Sequence, residues 1–170
     1  MRTVLLLLIA ICILSCVRSN KPSEQSDKTG WLSGIDTIVG STMIISYKYP
    51  QTLKKDFIQN GLCFGKATPN DEEFLNDMRL CIWFNDERLE NIDTIIASEG
   101  RLPNIKNTVR LDTTINERNA ILVKYLDSAK KEVKQIVLLK EQGTLYQIIA
   151  QGLNPADFRY FLDNLKIGKK

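Results

Sequence analysis

Apolar and polar positions alternate along most of this 170-residue chain, and that alternation predicts strands. Met43, Ile45, Tyr47 and Tyr49 alternate with Ile44, Ser46 and Lys48, and Pro50 stops the run. Leu62 and Phe64, then Leu80, Ile82 and Phe84, make two more strands joined by a polar loop over 68–77. Val109, Leu111, Thr113 and Ile115 alternate, as do Ile121, Val123 and Tyr125 after a turn at 116–119. Positions 133–140 and 144–150 read as a hairpin around Glu141, Gln142 and Gly143. Two segments carry a helical period instead. Asn85 or Asp86 can cap a helix that sets Leu89, Ile92, Ile95 and Ile96 on one face and stops at Gly100. Near the end, Asn154 is a good N-cap, Pro155 suits the first helical position, and Asp157 sits near the positive end of the dipole. Phe158, Phe161, Leu162 and Leu165 then form one apolar stripe.

The order is strands, helix, four strands, helix. Strands with one apolar and one polar face argue for an antiparallel sheet flanked by helices, an α+β domain. The alternative is a cystatin-like curved sheet around a helix. Residues 31–170 are the size of one domain. Strand order does not follow from the pattern.

The first residues break the alternation. Arg2 is followed by an unbroken apolar run over 4–14, then Ser15 and Cys16. The run falls short of the roughly 20 residues a membrane-spanning helix needs, and a short apolar core behind a basic start reads as a secretory signal. Ile13, Leu14, Ser15 and Cys16 resemble the lipobox of bacterial lipoproteins, with Leu14 bulkier than usual and Ile13 in place of the commoner Leu. The resemblance implies a signal peptide over 1–15, cleavage before Cys16 and lipid on Cys16 itself, so that the membrane is the first partner. Residues 16–30 are polar, hold Pro22, and read as a flexible tether. Val17 rather than Asp follows Cys16. By the sorting rule of enteric lipoproteins that points to the outer membrane, and the weak acidic signal after Cys16 favours the periplasmic side over the cell surface.

The run from Ile45 to Pro50, the mid-chain helix, the late meander and the closing stretch from Asp157 to Ile167 resemble the Mog1/PsbP-like group over roughly 42–167. The resemblance implies an antiparallel sheet with flanking helices and an accessory that binds or assembles rather than catalyses. It brings no site residues with it.

Cysteine usage adds a staple. Cys12 leaves with the signal and Cys16 takes the lipid, leaving Cys63 and Cys81 in a compartment where disulfides persist. They flank the 68–77 loop symmetrically, so a hairpin centred there sets Cys63 opposite Cys81, Leu62 opposite Ile82 and Phe64 opposite Leu80. Closing such a loop stabilises by roughly 3 kcal/mol in the chain-entropy model. Two separate buried thiols are the alternative.

The search for catalysis finds little. The chain has no histidine, which removes the commonest general base and metal ligand and every Ser-His-Asp or Cys-His arrangement. Gly61 and Gly65 lack phosphate-loop spacing, and Asp71, Glu72 and Glu73 lack the spaced oxygens of a calcium loop. No motif asks for a cofactor or metal, and the reading is that the chain is not an enzyme. The net charge of +3 is spread among acidic residues, with no basic stripe for nucleic acid. Trp83 falls beside Cys81 on one strand face, and Tyr47, Tyr49 and Tyr125 can share another; Trp83, Tyr47 and Tyr49 are candidates for a partner surface. The expected function is a lipid-anchored binding or assembly module acting on an envelope protein or glycan. An immunity or inhibitor lipoprotein aimed at an envelope toxin or hydrolase is the alternative, and a hydrolase built on acidic residues is a third.

Overall fold

Two antiparallel sheets and two short helices build the fold in the computed structural model, which describes residues 28–37, 43–58, 60–66, 78–86, 88 and 90–169. In chain order the elements are β1 (Trp31–Thr37), β2 (Met43–Pro50), β3 (Lys54–Ile58), β4 (Gly61–Gly65), β5 (Arg79–Asp86), α1 (Ile92–Glu99), β6 (Asn107–Ile115), β7 (Arg118–Leu126), β8 (Glu132–Glu141), β9 (Thr144–Gln151), α2 (Pro155–Asn164) and β10 (Lys166–Lys169). A small sheet has the order β1-β2-β10, and a seven-stranded sheet the order β3-β4-β5-β9-β8-β7-β6. The signal, Cys16 and most of the expected tether lie outside the described residues, as does the whole of the 68–77 loop.

Turn chemistry explains the late meander. Asn116 and Glu117 both take left-handed backbone (φ 48° and 68°), and so do Gln142 and Gly143 (φ 50° and 81°). A two-residue turn of that hand matches the twist of the strands it joins. The β4–β5 hairpin has the expected register: Cys63 faces Cys81, Leu62 faces Ile82 and Phe64 faces Leu80. Cys63 and Cys81 are joined as a disulfide with their Cα atoms 4.1 Å apart.

The first helix starts later than the sequence pattern suggests. Asn91 is its N-cap, accepting from the backbone N–H of Asp93 and Thr94. Asn85 and Asp86 instead end β5, whose ladder with β9 runs on to Asp86 opposite Thr144. The last helix is as expected, with Asn154 capping and Pro155 in the first turn. Strands β1, β3 and β10 were not expected from the pattern.

Alternation to one buried face holds in β2, where Ile45 and Tyr47 are buried, and fails at the centre of the large sheet. Every residue of β4 is buried, and β9 is buried from Leu145 to Ala150. Both faces of the large sheet are covered. On the front face Leu62, Phe64, Leu80, Ile82, Tyr146 and Ile148 pack against β2 and the apolar stripe of α2. On the back face Cys63, Cys81, Val123, Ile136 and Ile149 pack against Ile95 of α1. The end of the expected tether is docked rather than free: Lys28 pairs with Asp157 of α2, and its backbone N–H donates to the Tyr160 hydroxyl at 3.0 Å.

Candidate functional site

The three aromatic candidates do not form one surface. Tyr47 is 2% exposed, packs on Phe64 and Tyr49, and donates its hydroxyl proton to Asp36. Tyr49 is half-buried with its ring centroid 4.5 Å from that of Phe64. Both point inward because β2 is the middle strand of a sheet laid over the front face. Tyr125 sits on the back face of the other sheet, fully buried, so it shares no face with Tyr47 and Tyr49. Trp83 is half-buried on that back face, in line with Gln147.

Beneath the end of α1 lies a row of polar side chains. Register sets Tyr125 beside Lys134, Lys134 beside Gln151, and Gln151 beside Arg79. Lys134 is 3% exposed and pairs with Glu99 from the last turn of α1. The Tyr125 hydroxyl donates to the Ile96 carbonyl at 3.0 Å, and the Lys134 ammonium stands 5.8 Å from the Tyr125 ring centre. Burial lowers the pKa of Lys134, which the Glu99 carboxylate opposes, and lowers that of Arg79 likewise. Burial, then Glu99, pushes the Tyr125 phenol up. These bonds fix the C-terminal end of α1 to the sheet. The sequence did carry a signal for this row: Lys134 has the same parity as Ile136 and Leu138, a charged residue at core positions.

At the other end of α1 the back face opens into a cleft of about 710 Å³. Ile92, Ile121 and Leu138 contribute apolar surface to it. Asp112, Arg118, Lys140 and Glu141 line it with charges of both signs. Arg118 is held by Glu141 at 2.8 Å and by the Ile167 carbonyl at 2.9 Å, so β10 and β8 together fix its guanidinium. Such a cleft offers apolar contact and ion pairing to a chain laid along it. Among the described residues, no group of three or more His, Cys, Asp or Glu side chains is placed to hold a metal ion. No helix of the described residues is long and apolar enough to cross a membrane.

Compared with known proteins, the chain matches no family model and no curated protein.

Proposed function

We propose that this chain is a lipid-anchored lipoprotein of the bacterial envelope, held at the outer membrane on its periplasmic side, whose Mog1/PsbP-like domain works as a binding or assembly accessory. The lipobox-like run ending at Cys16 supports the anchor. The observation that carries the binding reading is the cleft beside α1, with apolar Ile92, Ile121 and Leu138 and charged Asp112, Arg118, Lys140 and Glu141. Apolar floor and mixed rim charges suit a polypeptide segment, with burial supplying affinity and the charges selecting register.

The test is a crosslinking pull-down from native membranes with a C-terminal tag. One dominant protein partner is expected, and Lys140→Glu, a change at an exposed rim position, should reduce its recovery several-fold. Capture of a toxin or hydrolase would turn the reading to an immunity lipoprotein. Recovery of no protein would refute a polypeptide partner and favour a glycan or small ligand. Cys16→Ala should leave the domain folded and move it out of the membrane fraction; a variant that stays membrane-bound with its signal attached overturns the anchor.

A further inference from the structure

Strand β6 ends the large sheet, and among the described residues no strand pairs its outer edge. All its residues but Thr113 and Ile115 are exposed, and two of the exposed large apolar side chains of the protein, Val109 and Leu111, lie on it. Two other edges are blunted, since β3 carries exposed Lys54 and Lys55 and β10 has only four residues, while β1, the remaining edge, carries exposed Leu32 and Ile35. β6 is straight in register with β7 over all nine residues, holds no proline, and its exposed charges, Arg110 and Asp112, are of opposite sign.

We propose that β6 is the interface of a symmetric dimer, in which two copies pair their β6 strands antiparallel about a two-fold axis through Leu111. The strand reads Thr108, Arg110, Asp112, Thr114 on the back face and Val109, Leu111, Thr113 on the front. About that axis Arg110 faces Asp112 of the second copy, Asp112 faces its Arg110, and Thr108 faces its Thr114. Asp112 gains an opposite charge, Arg110 gains a second one beside Asp93 of α1, to which it already donates at 2.9 Å, and threonines pair with threonines. On the front face Leu111 meets itself and Val109 meets Thr113. Moving the axis one residue either way sets Arg110 on Arg110 or Asp112 on Asp112.

Backbone geometry allows the same axis. The two-residue turn at Asn116 and Glu117 makes Ile115 and Arg118 a hydrogen-bonded pair, and bonded pairs alternate from there. The N–H and C=O groups of Thr108, Arg110, Asp112 and Thr114 therefore point outward. Leu111 then falls in a non-hydrogen-bonded pair, where the facing Cα atoms come within about 4.5 Å. The contact is isologous, so it closes at two copies.

The test uses the full chain in membranes. Leu111→Cys should form an intermolecular disulfide on mild oxidation. Val109→Cys should not, because its partner cysteine lies about 13 Å away along the paired strands. Differently tagged copies then probe the charges. R110D and D112R should each weaken self-association at least about tenfold, since each sets like charges face to face. Mixed together they should associate as the unaltered chain does, because every pair again joins opposite charges. That rescue also shows both variants folded. Equal crosslinking at positions 109 and 111, crosslinking of Leu111→Cys to a different protein alone, or a mixture no more associated than its parts would each overturn the dimer.

Discussion

Gly34 shows how one missing atom shapes the small sheet. It faces Tyr47 across the β1–β2 ladder, and a Cβ there would stand 2.5 Å from the Tyr47 ring. That ring is wedged against Phe64 and bonded to Asp36, so it has nowhere to swing. Gly34→Ala should therefore destabilise the fold by about 1–3 kcal/mol, the usual scale of overpacking, read as a fall in thermal midpoint. Lys134 presents the opposite problem. Its ammonium is buried and depends on Glu99. Glu99→Ala leaves that charge uncompensated and should cost about 3 kcal/mol in denaturant unfolding, whereas Lys134→Met, which removes the buried charge and keeps the stem, should lie within about 1 kcal/mol of the parent. Equal losses in the two variants would refute the account of Lys134 as a buried ion held by one partner.

At the scale of elements, legibility followed repetition. The β4–β5 hairpin was readable because Leu62, Cys63 and Phe64 mirror Leu80, Cys81 and Ile82 about one centre, so a single register satisfied both faces. The last helix was readable because cap, proline and stripe agree. Strand β1 was not, because its inward positions are Leu32, Gly34 and Asp36, of which the one large apolar side chain, Leu32, is still 45% exposed, while Ile35 faces outward at 73% exposure. Its pattern is broken by what Tyr47 needs. In β3, Lys54, Lys55, Asp56 and Phe57 are all exposed, so no apolar period exists to be read. The start of α1 was misplaced because Asn85, Asp86 and Asn91 are all competent caps, and only the length of the β9 ladder decides among them. The expected aromatic surface failed for a related reason. Alternation says that Tyr47 and Tyr49 share a face with Ile45, but which face a second sheet covers is a property of the assembly of elements. The cleft was illegible because it joins α1 to the β6–β7 and β8–β9 hairpin ends, residues far apart in the chain.

For the whole molecule, buried phenols set the alkaline limit. Burial raises Tyr47, Tyr125 and Tyr146 above their ordinary value of 10, Tyr146 to about 12. The unfolded chain releases those protons first, so the stability they hold is fully present below pH 10 and is lost as pH climbs above it. The slope approaches about 1.4 kcal/mol per pH unit for each tyrosine still protonated in the fold. Lys134 works the other way. Burial depresses its pKa, so the fold gains stability as pH rises toward the unfolded value of 10.5. Three phenols outweigh one amine, and unfolding by base should be cooperative, with the tyrosinate absorbance of these residues appearing together with loss of the fold. Their ionisation well before unfolding would contradict the burial. The same whole-molecule view places Asp112 on both the cleft rim and the proposed two-fold, so a dimer sets two clefts side by side across one sheet.

The disulfide has a consequence for what a protease can do to this protein. Cys63 and Cys81 join strands that are themselves central, each paired on both sides. A backbone cut anywhere between them produces two chains by sequence but one molecule by connectivity. Each fragment keeps a partner strand and a share of both cores. The nicked form should run intact until a reductant is added, and in an oxidising compartment such damage would leave the cleft and the β6 edge in service.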